Sequence, residues 1–294
     1  MGMSQTYDIT LRIAYVYDSP AAAHRTLLRM LPRNLPEQQL LYGAVTTDPA
    51  PSFRVDDVDF FGNPVTEVTH DRRLSEIDFR FRGRVLKHAP AGGLDLSCGL
   101  SLLPVELGQI RSIAPDSPHH FLGASPRLPA APDIAAFARD CVSPEMSALE
   151  AADAVSLALN AAFTFDPKAT EVTTKPVDAF RARRGVCQDI SHVMITALRS
   201  LGMPAGYVSG FLRTIPPKGR PRLAGADAMH AWVRAWCGAE TGWVEFDPTN
   251  AIRAGTDHVT VAIGRDYSDV APARGSLRSA GSHKTTHQVD VVPV

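Results

Sequence analysis

Cysteine is scarce in this chain: Cys98, Cys141, Cys187 and Cys237 are the four among 294 residues, spaced 43, 46 and 50 apart with no CxxC pair. That spacing disfavours a disulfide framework and a cysteine-rich zinc module, so each thiol is expected to be buried, idle or reactive. No apolar run is long enough to cross a bilayer, and the N-terminus lacks the basic, apolar and small-residue succession of a signal peptide. The expectation is a cytoplasmic protein with no membrane partner. The opening "MGMSQT" fits the Gly2 and Thr6 pattern of myristoylation, but the pattern is short and Met3 is an alternative start. A formal net charge of −1 supplies no global field for polyanions, which argues against nucleic acid as a partner.

What the chain has is an ordinary globular composition, 45% hydrophobic and 21% charged, which excludes disorder over most of its length. At about 150 residues per domain its length suggests two domains. Residues 1–110 read as β structure. In "EIDFRFR", Ile77, Phe79 and Phe81 alternate with charged residues, and "DVDFFGNPVTEV" sets Gly62 and Asn63 between two extended runs. Segment 21–31 is ambiguous between helix and strand, and its neighbours favour strand. The pattern predicts a small β-sandwich. Residues 111–133 are rich in proline, glycine and serine and read as a linker. His119 and His120 within it read as solvated loop.

Residues 134–294 form the second predicted domain. Its first helix is expected over 144–163, rich in Ala, Leu and Glu. A second follows in "RRGVCQDISHVMITALRSLGMP", where Ile190, Val193, Met194, Ala197, Leu198 and Leu201 recur at helical steps and Gly202 and Pro204 supply the stop. "AGYVSGFL", "MHAWVRAW", "GWVEFDP" and the tail "THQVDVVPV" read as strands.

Cys187 falls in the first turn of that second helix, where unpaired N–H groups and the positive dipole end favour a thiolate and could bind an oxyanion. His230 is suited to exchange its proton, and Asp247 to orient the imidazole. If Trp236 sits opposite Trp243, then Trp232 faces Asp247 and His230 is its diagonal neighbour; a one-residue slip breaks the pair. Each residue also has a plainer reading: a core thiol, a core histidine beside tryptophans, and the start of a turn. A zinc site would draw on Cys187, His192, His230 and Asp247. Cys187 and His192, however, stand about 140° apart on a helix, and the short ligand spacings are missing, so no metal is expected.

At these residues the sequence resembles the transglutaminase-like superfamily of papain-like folds. "GVCQDISHVMITALRSLGMPAGYVSGFL", "DAMHAWVRAW" and "GWVEFDPTN" are similar to its three motifs in order, and the resemblance covers roughly residues 134–273. The β-rich first part is similar to the N-terminal region joined to bacterial members. The resemblance implies an α+β protein: an N-terminal β-sandwich-like domain, then a core in which a helix bearing the cysteine packs on an antiparallel sheet bearing histidine and aspartate. It implies Cys187 as nucleophile, His230 as general base and acid, Asp247 as orienter, and a thioester acyl-enzyme formed from a protein or peptide substrate without a cofactor. Gln188 and Trp232 are candidates for contacting substrate or oxyanion. Asp189 reads as an N-terminal dipole partner, and Phe163 and Phe165 offer no second oxyanion donor. The loop before His230, "PPKGRPRLAGADA", fits a substrate groove as well as a plain solvated loop. The rival reading is a binding or assembly module that keeps the fold without catalysis.

Overall fold

The computed structural model describes residues 4–90, 93–214 and 227–294. Gly2 of the myristoylation pattern and most of the loop before His230 lie outside the described residues, and Thr6 of that pattern is in the first strand.

The N-terminal region is built on one strand, β1 (Ser4–Leu28), whose alternation buries Tyr7, Ile9, Leu11 and Ile13. Segment 21–31, ambiguous in sequence, is the end of this strand and the turn after it. Then follow β2 (Gln38–Asp48), β3 (Phe53–Val58), β4 (Pro64–His70) and β5 (Leu74–His88), ordered β2-β5-β1-β4-β3. Between Val16 and Ala21 the register of β1 against β5 slips. Such irregularities bend a strand. Up to Val16 β1 pairs with β5, meets it once more at Ala21↔Leu74, and pairs with β4 from His24 to Leu28.

The span predicted as linker is structured. It follows α1 (Leu103–Gln109) and leads into α2 (Pro132–Cys141). Phe121 and Leu128 are buried, and Phe121 lies 5.5 Å from Phe61 and 5.1 Å from Trp243 by ring centroids. A few apolar anchors set between prolines hold it down without any periodicity to betray them. His119 is exposed as expected, whereas His120 is half-buried, 5.1 Å from Phe60.

The core contains α3 (Ala148–Ala162), β6 (Thr164–Phe165), α4 (Pro176–Ala182), β7 (Arg184–Gly185) and α5 (Cys187–Ser200). A capping box of Ser147 and Glu150 starts α3, later than its composition suggested. The strands β8 (Ala205–Leu212), β9 (Ala228–Trp236), β10 (Trp243–Asp247), β11 (Ile252–Arg253) and β12 (His258–Gly264) form one antiparallel sheet ordered β11-β10-β9-β8-β12. Helix α5 buries Ile190 through Leu198 without a break, because α2, α3 and α4 cover the side turned away from β8 and β9. None of the described helices is long and apolar enough to cross a membrane.

After α6 (Tyr267–Val270) the chain leaves the core. Strands β13 (Ala273–Arg278) and β14 (His283–Pro293) both pair with β1, and β14 keeps register from Tyr17↔His283 to Tyr7↔Pro293. The predicted second domain, 134–294, therefore gives its last two strands to the first. Backbone pairing at that distance leaves no trace in local composition.

Two side-chain amides join the regions at β12, the sheet's outer strand. Gln38 donates to the Thr260 carbonyl (2.7 Å) and accepts its N–H (2.8 Å); Asn63 does the same at Ile263, both at 2.8 Å. Both are buried, and each substitutes for a neighbouring strand on an open edge. Replacing Gln38 with leucine strands the buried Thr260 N–H and leaves its carbonyl only the longer bond from the Arg33 N–H at 3.3 Å. A loss of roughly 2–4 kcal/mol is expected, read as a lower urea midpoint at unchanged slope.

Candidate active site

Cys187 is the first residue of α5 and is half-buried. Its N-cap is Val186, whose side chain has no acceptor; instead Asp189, three residues on, accepts the Val186 N–H at 2.9 Å and the Thr170 hydroxyl at 2.7 Å. Asp189 is thus a buried helix-start partner, as its position suggested. The first N–H groups of a helix have no intrahelical acceptor, which leaves those of Cys187 and Gln188 beside the sulfur.

The strand register matches the sequence arithmetic. Trp236 pairs with Trp243 and Val233 with Phe246, which puts Asp247 next in line with Trp232. His230 Nε2 lies 2.7 Å from Asp247 Oδ2, and the Cys187 sulfur acts electrostatically on the same ring. With Nε2 taken by the carboxylate, Nδ1 is the nitrogen left for sulfur. Burial alone would discharge His230, but the hydrogen bond to Asp247 and the interactions with the Asp247 and Cys187 charges outweigh it and push its pKa up to about 10. For Asp247, burial is likewise outweighed by hydrogen bonds from His230 and His258, so the carboxyl titrates well below the usual range.

Asp247 is fully buried and accepts five hydrogen bonds. His230, His258 (3.1 Å) and the Asn250 amide (2.7 Å) meet Oδ2; the N–H groups of Thr249 (3.0 Å) and Asn250 (3.2 Å) meet Oδ1. Sequence reasoning missed His258 and Asn250. Asn250 stands three residues after Asp247, a spacing common in side-chain-capped turns, and could have been read.

This geometry can be set beside known proteins. A sequence model of the bacterial transglutaminase-like N-terminal region matches residues 7–86, and that of the transglutaminase-like superfamily matches 135–248, the span holding Cys187, His230 and Asp247. Uncharacterized protein Rv2569c of Mycobacterium tuberculosis (strain ATCC 25618 / H37Rv) is 32% identical over 298 residues, across 98% of this chain and 92% of that protein. The chain belongs to the transglutaminase-like superfamily. Uncharacterized protein ML0607 of Mycobacterium leprae (strain TN) is 30% identical across 91% of each chain. A Cytophaga hutchinsonii protein, provisionally assigned as a cysteine protease, superposes with a TM-score of 0.75 over 99% of this chain and 91% of that one; at 18% identity the likeness speaks for the fold alone.

Within this transglutaminase-like core, two of the predicted contact residues have definite partners. The indole N–H of Trp232 donates to Glu245 at 2.7 Å, and the residue is fully buried. It is a wall behind His230, their ring centroids 6.2 Å apart, and not a donor to an oxyanion. Gln188, beside Cys187, anchors its amide on the Val172 carbonyl at 3.1 Å.

The zinc set is not assembled. His192 Nε2 accepts the Tyr267 N–H at 3.2 Å, and the ring packs 5.1 Å from Tyr207. His230, Asp247 and His258 do offer three ligand atoms within 4.8 Å of one another. Yet the Gly255 N–H donates to His258 Nδ1 at 3.3 Å, which places the ring proton on Nε2, toward Asp247. The existing bonds are those of a hydrogen-bond network and leave that nitrogen no lone pair for a cation.

Burial pushes His192 down to about 3 from 6.5. Between those values the unfolded chain binds the proton and the native state does not, so this contribution to stability is present above pH 6.5 and is lost as the pH falls. Urea midpoints should decline from pH 6.5 toward about 4, above the carboxylate range. His192→Gln, which keeps an acceptor for Tyr267, should flatten that decline.

Proposed function

We propose that this transglutaminase-like protein is a cysteine-dependent amidase or acyltransferase acting on peptide or isopeptide bonds through a thioester acyl-enzyme. The observation that carries the reading is His230 hydrogen-bonded to the buried Asp247 carboxylate while its ring interacts with the charge of the Cys187 sulfur at the start of α5. In the proposed reaction the Cys187 sulfur, paired as thiolate with the His230 imidazolium, attacks the substrate carbonyl. The first-turn N–H groups of α5 receive the oxyanion. As the tetrahedral adduct collapses, the C–N bond breaks and the His230 proton passes to the leaving amine. Water or a second amine then attacks the thioester, giving its proton to His230, and the sulfur leaves as thiolate. Asp247 fixes the ring and balances its charge throughout. The half-buried position of Cys187 suits a carbonyl presented on an exposed segment of a protein or peptide.

The test is to trap the intermediate. Incubated with cell lysate at mildly acidic pH to slow deacylation, the protein should carry an acyl group on Cys187, identifiable by peptide mass spectrometry and absent from Cys187→Ala. Repeated failure to acylate, with the thiol free and the protein folded, would favour a module that keeps the fold for binding.

A further inference from the structure

His258 lies outside the matched core span of 135–248. It begins β12, and β9 and β8 separate that strand from β10 in the hydrogen-bonded order. Its ring nevertheless reaches the same carboxylate oxygen as His230, at 3.1 Å against 2.7 Å. Gly210 makes room for this convergence. It pairs with His230 on one side and Thr260 on the other, and a Cβ there would lie 2.5 Å from the Trp232 ring. The indole lies over that gap, its ring centroid 5.2 Å from the His258 ring, edge to face.

We propose that His258 is a positioning residue of the active centre, an uncharged second imidazole that holds Asp247 Oδ2 between two rings and tempers its basicity toward His230. The inference rests on the catalytic reading of Cys187 above. The argument is one of proton placement. Two imidazoles on one oxygen would repel if both were charged. The Gly255 N–H requires a lone pair on His258 Nδ1, so His258 donates to the carboxylate through Nε2 without carrying charge. The titratable groups facing it are Asp247 and, across that carboxylate, His230; Trp232 supplies an apolar wall. A carboxylate with one donor fewer binds the imidazolium proton more tightly. That makes His230 a poorer acid toward a leaving amine.

The experiment is the pH profile of iodoacetamide alkylation at Cys187. Its upper inflection marks the loss of the His230 proton beside the sulfur. In His258→Leu that inflection should move to higher pH by at least about 0.5 unit, and in His258→Gln, which restores an N–H donor, it should return toward the native position. An unmoved inflection in folded His258→Leu, or equal shifts in both variants, would overturn the proposal. Imidazole ¹⁵N NMR of the native protein provides a second arm that needs no variant. His258 should hold one proton, on Nε2, at pH 7; a proton on Nδ1, or two protons, would overturn it. His230→Ala separates the two readings. If it abolishes the upper inflection while His258→Leu leaves the inflection alone, only the His258 role fails. If His230→Ala matches the native profile, both fail.

Discussion

His230→Ala is expected to slow amide turnover by about 10²–10⁴-fold, the range for loss of a positioned acid and base. Two effects combine. Without the imidazolium, no group donates to the leaving amine. The sulfur also loses its counter-charge: an ordinary thiol is only about 0.3% ionised at pH 6, so a fully paired thiolate has an advantage of about 300-fold in reactive species. The paired thiolate is a weaker nucleophile than a free one, which takes back part of that gain. Alkylation at pH 6 should therefore slow by about tenfold or more, and turnover by more than alkylation, because only turnover needs the proton. Equal losses in the two assays would mean that His230 sets the charge on sulfur but does not serve as the acid.

Asp247→Ala should be among the most damaging single substitutions for stability. It removes an acceptor shared by five donors at a fully buried position. Water entering the space would relieve some of them, and a net loss of about 3–5 kcal/mol is expected, comparable to removing one member of a buried ion pair. Because the Asp247 carboxyl is depressed in the native state, its contribution is present above the unfolded value near 3.8 and is lost as the pH falls through the native one. The difference between native protein and Asp247→Ala in urea midpoint should thus be full at neutral pH and narrow in acid. A difference independent of pH would assign the effect to packing rather than charge.

The proposed site was legible because its residues are chemically conspicuous and their geometry is local: a cysteine at a helix start, then a histidine and an aspartate on adjacent strands whose register follows from Trp236 opposite Trp243. His258 was not. In "DHVTVAIG" it opens an apolar run with no local partner, and it meets Asp247 only because Gly210 leaves room between the strands that separate them. The same limit explains the fold. Alternation identified β5, and the tail read as a strand, but the pairing of that tail with β1 joins residues more than 260 apart. The 111–133 span shows the converse: proline-rich composition reads as linker, whereas Phe121 and Leu128 make it part of the packed structure. Trp232 takes the walling role its strand position suggested, while its N–H, a candidate for an oxyanion, has a partner in Glu245.

The most direct measurement is site-resolved alkylation of the native protein with limiting iodoacetamide at pH 6, read by peptide mass spectrometry. The other thiols serve as internal references: burial pushes Cys98 up to about 11 and Cys237 up to about 12, and also raises Cys141. Cys187 should be modified first and nearly alone. Modification of Cys187 no faster than Cys98 and Cys141 would contradict its role as nucleophile.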